Sequence, residues 1–280
     1  MSLHTNASPL QQAFIEKIGA AVSGDMRFEA LFLGGSFGRG SADAYSDLDF
    51  IGLVDADSGD LTAAAWQGIV EAISPVVFWN RLDRGGPLLN AITQDWLRID
   101  VHILTPAAFL DRVPSSGASR ATLVPLVDRQ GIFDTLPAYP GKTAPNGQQV
   151  DHLIREFIRV LGLIVVGLGR DERVLGVTGA GLLRDLLTKL MIEETQSPER
   201  GGALHLSRII TADQMAELES LPYPGPTRAD VLKAHSALAK NFFPRATRLA
   251  AELDLPWPDA FENATRRHLE RAFGIELWQW

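Results

Sequence analysis

An α+β chain in two parts is the expectation: an N-terminal α/β domain with a mixed sheet over residues 1–140, then a C-terminal helical bundle over 148–280. Three observations predict it. Short apolar runs bounded by Gly and Pro alternate with helical stripes through the first half of the chain. The stretch "TLPAYPGKTAPNGQQ" at 135–149 gathers three Pro and two Gly and reads as a linker. Beyond it apolar residues recur at helical spacing over 150–168, 171–195, 203–220, 228–253 and 257–273, with breaks at "SPERGG", "LPYPGP" and "LPWP".

Ser8 and Pro9 supply an N-cap and first helical residue for a stripe of Leu10, Phe14, Ile18 and Val22. "FEALFLGG" and "SDLDFIGLV" read as strands, and the turn-rich "SFGRGSADAYS" between them has room for one short helical turn. Residues 61–73 read as a helix with Leu61, Ala64, Ala65, Gly68, Ile69 and Ala72 on one face. "PVVFWNRL", "PLLNAI" and "WLRIDVHILT" are strand-like, and Thr105 with Pro106 opens another helix. "TLVPLVD" belongs at a sheet edge, because Pro125 has no N–H for a ladder.

Composition narrows the function classes. With 46% hydrophobic and 21% charged residues the chain reads as an ordinary globular protein. The net charge of −8 disfavours nonspecific binding along a nucleic-acid backbone. Residues 1–145 alone hold 10 basic against 16 acidic residues, a net −6. Cysteine is absent, which excludes a disulfide frame, a thiol nucleophile and Cys-ligated zinc, and the six His show no metal-binding spacing. "MSLHTNASPLQQAFIEKIGAAV" lacks a basic segment followed by an apolar one, so no signal peptide is expected. "LGLIVVGLG" falls well short of the roughly 20 residues of a membrane helix. A cytoplasmic protein without a membrane partner is expected.

The chemistry concentrates in "GGSFGRGSADAYSDLDF", residues 34–50. On an extended segment Asp47 and Asp49 project to one face, about 6.6 Å apart along the strand, while Leu48 and Phe50 project to the other. Two bare carboxylates approaching to about 4 Å repel by roughly 4 kcal/mol at an effective dielectric near 20, so a cation is expected between them. Gly34, Gly35 and Ser36 at a strand end allow backbone N–H groups and a hydroxyl to cradle phosphate, with Arg39 placed to add a charge-assisted contact. Asp100 in "LRIDVHI" points away from the core with Arg98 and His102; if its strand lies beside that of Asp49, three carboxylates gather. Such a set suits two Mg²⁺ ions about 3.5–4 Å apart in phosphoryl chemistry.

Plainer readings exist for each residue. Alone, "DLD" is a pair of solvated acids at a strand end, Asp100 a surface acid paired with Arg98, Arg39 a surface cation and the Gly pair a tight turn; it is their combination that reads as a site. His102 is expected to pack beside it. Arg184 and Lys189 in "LLRDLLTKLM" are expected in helix-face ion pairs with Asp185 and Glu193. Trp66, Trp79 and Trp96 are core or rim residues, or walls of an acceptor pocket.

The run G-G-S-x-x-R-G, followed by S-D-L-D and a lone strand Asp, resembles the signature of the DNA polymerase β-type nucleotidyltransferase superfamily. "RVLGLIVVGLGRDERVLGVTGAGLLRDLLTKLMIEE" and "LPWPDAFENATRRHLERAFG" look like the helical half of the lincosamide and aminoglycoside nucleotidyltransferase group. The resemblance implies an N-terminal nucleotidyltransferase domain in which Asp47, Asp49 and Asp100 bind two Mg²⁺. It further implies that Gly35, Ser36 and Arg39 hold the triphosphate of ATP or another NTP. The activity it implies is transfer of a nucleoside monophosphate, usually AMP, to a hydroxyl of a small acceptor such as an antibiotic, with release of pyrophosphate and no nucleic-acid partner. The general base is open between Asp100 and a helical acid such as Glu156, with Asp100 preferred. A homodimer is a leaning carried over from relatives. Adenylylation of a protein, or nucleotide binding without turnover, are the competing functions.

Overall fold

The computed structural model describes residues 6–55, 59–141, 144–195, 206–274 and 278–280. It divides into two units, Met1–Gly141 and Lys142–Trp280. In the first, Ser8 and Gln11 form a reciprocal capping box that opens α1 (Pro9–Ser23). Then follow β1 (Phe28–Leu33), a single turn α2 (Gly35–Gly38), β2 (Leu48–Val54), α3 (Gly59–Ile73), β3 (Val76–Asp83), β4 (Pro87–Thr93) and β5 (Arg98–Leu104). The unit closes with α4 (Pro106–Ser116), β6 (Val124–Asp128) and α5 (Ile132–Thr135).

The six strands form one mixed sheet in the order β3-β4-β5-β2-β1-β6. Only β2 and β5 run parallel among these neighbours. β6, which carries Pro125, lies at the edge as its missing donor demands. One sheet face packs Leu31, Leu33, Leu48, Phe50, Ile99 and Val101 into a core shared with Phe14, Ile18 and Trp66 of α1 and α3. On the opposite face Ala30, Phe32, Leu53 and Leu104 pack with Phe109 and Ile132. That second face also carries, further along β2 and β5, the half-buried polar residues Asp49, Arg98, Asp100 and His102.

α3 is rotated from the predicted face. Thr62, Ala63, Trp66 and Val70 are buried, whereas Leu61 is 69% exposed. The bulk of one tryptophan decides it: Trp66 lodges against Phe28 and Phe50, with ring centroids 6.4 and 5.2 Å away, and buries more apolar area than the alanine face would.

In the second unit the helices are α6 (Gly147–Gly169), α7 (Arg173–Thr195), α8 (Leu206–Ile209), α9 (Ala212–Ser220), α10 (Arg228–Glu252) and α11 (Asp259–Phe273). Asn146 caps α6 and moves its start three residues ahead of the apolar stripe. The helix expected over 203–220 is two helices in its described part: Thr211 leaves the helical conformation and forms a capping box with Gln214, so α9 starts afresh. The break at "SPERGG" and residues 203–205 lie outside the described residues. At the centre Phe157 stacks on Phe242 at 3.7 Å, with Phe243 edge-on to Phe157 at 5.8 Å. Lys189 pairs with Asp185 at 2.6 Å as expected. Arg184 does not follow the same pattern; it donates to the carbonyls of Leu218, Leu221 and Pro222 and lies over the Tyr223 ring. Among the described residues no helix is long and apolar enough to cross a membrane.

Candidate metal and nucleotide site

Register gathers the acids. In the parallel pairing of β2 with β5, Asp49 stands opposite Asp100, and Asp47 sits one residue before β2 on the same face as Asp49. One carboxylate oxygen from each of Asp47, Asp49 and Asp100 lies within 4.8 Å of the other two. The polar row continues across the sheet. Asn90 of β4 pairs with Asp100, and Asn80 of β3 pairs with Asn90. Asn80 Nδ2 donates to Asn90 Oδ1 at 3.2 Å, and Asn90 in turn hydrogen-bonds the Asp100 carboxylate. The cation expected beside the "DLD" pair is Arg98, whose guanidinium is 3.3 Å from Asp47. Arg98 therefore pairs with Asp47, not with Asp100.

This crowding has an electrostatic consequence. Burial first, then the charges of Asp47 and Asp100, push the Asp49 carboxyl up to about 6, against the pull of Arg39 and Arg98. Burial also raises Asp100, opposed by the hydrogen bond from Asn90. Arg98 and Arg39 thus leave negative charge uncompensated, and a divalent cation relieves it best.

The residues present fit such a group. All three candidate ligands are carboxylate oxygens, the hard donors that Mg²⁺ prefers. The backbone N–H of Gly34 donates to the Asp49 carbonyl at 2.8 Å, which ties the glycine turn to β2. Gly35 has φ +55°, and a Cβ there would fall 1.8 Å from Asp49 Oδ2, so only glycine leaves room for that carboxylate. Ser36 is 2% exposed, and its Oγ has no hydrogen-bond partner among the described residues. This buried hydroxyl, one residue after the glycine that clears Asp49, has a donor to offer. Arg39 ends α2 and is half-buried, with its charge felt at Asp49.

The other singled-out residues sort differently. His102 Nε2 is 3.2 Å from the Arg84 carbonyl and 3.3 Å from Arg112, and burial together with Arg112 lowers its pKa. It packs the turn at 84–86. Glu156 is ion-paired with Arg159 at 2.5 Å, which pulls its carboxyl below the ordinary range. Trp66 is core, and Trp79 Nε1 donates to Glu71 at 2.9 Å. Trp96 is exposed at φ +61° and lines a pocket of ≈ 220 Å³ with Tyr45, Ser46, Asp95 and Arg98. Sequence reading missed Asn80, Asn90 and the Arg98–Asp47 pair. The asparagines are visible in "FWNRL" and "LLNAI", but the register that aligns them with Asp100 is not.

No protein-family model matches the chain. No curated protein matches it. Among solved structures it is similar to an aminoglycoside 6-adenyltransferase from Bacillus subtilis, at 15% identity over 93% of this chain and 97% of that one, with a TM-score of 0.43. It is also similar to a nucleotidyltransferase-like protein from Exiguobacterium sibiricum, at 11% identity over 94% and 88% of the two chains, TM-score 0.34. The Thermotoga maritima CCA-adding enzyme, solved with tRNA, is 12% identical over 96% of this chain and 60% of its own, TM-score 0.36. All three superpose loosely.

Proposed function

We propose that the chain is a divalent-metal-dependent nucleotidyltransferase that moves a nucleoside monophosphate, AMP in the simplest case, from an NTP to a hydroxyl of a small molecule. One observation carries the proposal: three carboxylates from distant parts of the sequence converge within 4.8 Å beside a glycine whose missing Cβ makes space for one of them. The resemblance of "GGSFGRG" and "SDLD" to nucleotidyltransferase motifs supports the same chemistry.

In this reading residues 1–140 are the nucleotidyltransferase domain and 148–280 a helical bundle domain. Asp47, Asp49 and Asp100 hold two Mg²⁺, and Gly35, Ser36 and Arg39 hold the triphosphate. When bound, the cations supply positive charge to the attacking and leaving oxygens. Asp100, raised by burial, takes the proton of the acceptor hydroxyl. The hydroxyl oxygen forms a bond to the α-phosphorus, the bond from that phosphorus to the bridging oxygen breaks, and pyrophosphate leaves. Asn90 orients the Asp100 carboxylate for that transfer. Glu156 is the poorer base, because Arg159 holds it ionised and occupied.

The net −6 of residues 1–145 favours a small acceptor over nucleic acid, and an aminoglycoside or lincosamide is the class the sequence resemblance points to. The test is a screen of hydroxylated compounds with Mg²⁺ and each NTP, read by pyrophosphate release and product mass. A gain of one nucleotide unit on one compound class is expected. Modification of a protein instead would reassign the acceptor, and tight NTP binding without any transfer would reduce the chain to a regulatory module.

A further inference from the structure

We propose that the helical unit carries a second ligand site, a pocket between α6 and α7 floored by His235 of α10, which takes a single-ring molecule bearing one O–H or N–H donor. A phenol is the simplest member of that class. The proposal is independent of the acidic cluster and goes beyond nucleotidyl transfer.

Size and lining set the first half of the specificity. The pocket holds ≈ 160 Å³ and is walled by Leu163, Ile164, Val166, Leu175 and Leu182. Leu163, Val166, Leu175 and Leu182 are each partly exposed, so the pocket opens to solvent on one side, and its volume suits one ring. Arg159 is the charged residue of the lining, and it is already engaged with Glu156. Such walls favour one aromatic or cyclic body and reject an ion.

His235 sets the other half. It is 1% exposed, and its Nδ1 lies 2.9 Å from the Val231 carbonyl one turn earlier. A carbonyl only accepts, so the ring proton sits on Nδ1 and Nε2 presents a lone pair. Burial lowers the imidazole pKa to about 4, so the ring stays neutral at neutral pH. His235 lines the pocket, and its Nε2 faces Gly179, another lining residue. Gly179 of α7 keeps the approach open, because a Cβ there would stand 3.3 Å from Nε2.

The test is a titration of the full chain with phenol and with toluene, which fills the same space without the donor, followed through the His235 ring signals in NMR. We expect saturable phenol binding that moves the His235 signal, and toluene binding weaker by roughly tenfold, the value of one hydrogen bond to a buried acceptor. Gly179→Ala places a methyl on the approach to Nε2 while favouring the helix. It should abolish phenol binding while the helical circular-dichroism signal of the folded chain is kept. Should that variant misfold, His235→Phe takes its place, and phenol must lose its advantage over toluene. Equal binding of phenol and toluene, an unmoved His235 signal, phenol binding retained in Gly179→Ala, or no saturable binding at all would overturn the proposal.

Discussion

Two groups of charges in this molecule follow opposite rules. In the helical unit Glu194 meets Arg245 at 2.6 Å, also bonds Arg248, and accepts from Gln214 at 2.8 Å, while Glu217 binds the other arm of Arg245. Two acids face two arginines, so each charge has its complement in place. On the sheet, Asp47, Asp49 and Asp100 share one region, with a guanidinium 3.3 Å from Asp47 and the rest left to repel. Balanced charges serve the fold. A cluster of one sign stores a cost that a counterion recovers on binding, which is why the sheet cluster reads as a site and the helical network as architecture.

Substitution of one member in each group separates those roles most sharply. Asp49→Asn removes one anionic ligand, and we expect nucleotidyl transfer to drop by roughly a thousandfold, the equivalent of several kcal/mol of transition-state stabilisation. Stability should move the other way. The folded-state pKa is raised from 3.8 to about 6, so the native protein takes up a proton in that window which the unfolded chain does not. Stability therefore falls as pH rises from about 4 to 6, by about 3 kcal/mol in total, and Asn recovers part of it at pH 7 without metal. An active or destabilised Asp49→Asn variant would remove the cluster from the site. Arg245→Met is the converse: it leaves Glu217 without its cation and Glu194 with Arg248 alone, and should cost up to about 3 kcal/mol in denaturant unfolding. Its effect on nucleotide binding should be nil.

A third charge-related test concerns a group held neutral. His235 has a folded pKa of about 4 against 6.5 in the unfolded chain, so the unfolded state binds the proton first as pH falls. Its contribution is fully present above pH 6.5 and is lost on descent toward pH 4, a decline of about 3 kcal/mol. Chemical denaturation of the wild type and of His235→Gln across that range checks it. The difference between the two should shrink toward acid, and a constant difference would mean that the imidazole is solvated.

Much of this was legible in the sequence because it depends on local physics. Caps at Ser8 and Thr105, the edge-demanding Pro125 and the period-two alternation around Asp49 and Asp100 each act within a few residues. What was not legible depends on register or on competition between faces. The alignment of Asn80, Asn90, Asp100 and Asp49 into one row is set by three strand pairings, and a slip of one residue would scatter it. The rotation of α3 came from one tryptophan outcompeting a face of alanines, and the break before α9 came from a threonine cap inside an apolar stripe. Gly35 was readable as a turn residue, but the need to clear the Asp49 carboxylate appears only once both are placed.

The asparagine row yields the smallest and most diagnostic effect. A hydrogen bond from Asn90 favours the ionised form of Asp100 and partly offsets the rise that burial imposes. Asn90→Ala removes that offset, so the Asp100 pKa climbs further and the ionised base is lost at a higher pH than in the wild type. Activity should fall on the acid limb of the pH–rate profile, where Asp100 titrates, by up to roughly tenfold for each unit that its pKa climbs. The loss should fade as pH rises, because the carboxylate ionises again, and the acid limb of the pH–rate profile should shift to higher pH. Asn80→Ala, one strand further out and touching Asp100 only through Asn90, should give the same displacement in weaker form. A uniform loss at every pH in Asn90→Ala would assign the residue to substrate contact, and the proton acceptor would then have to be sought elsewhere than Asp100.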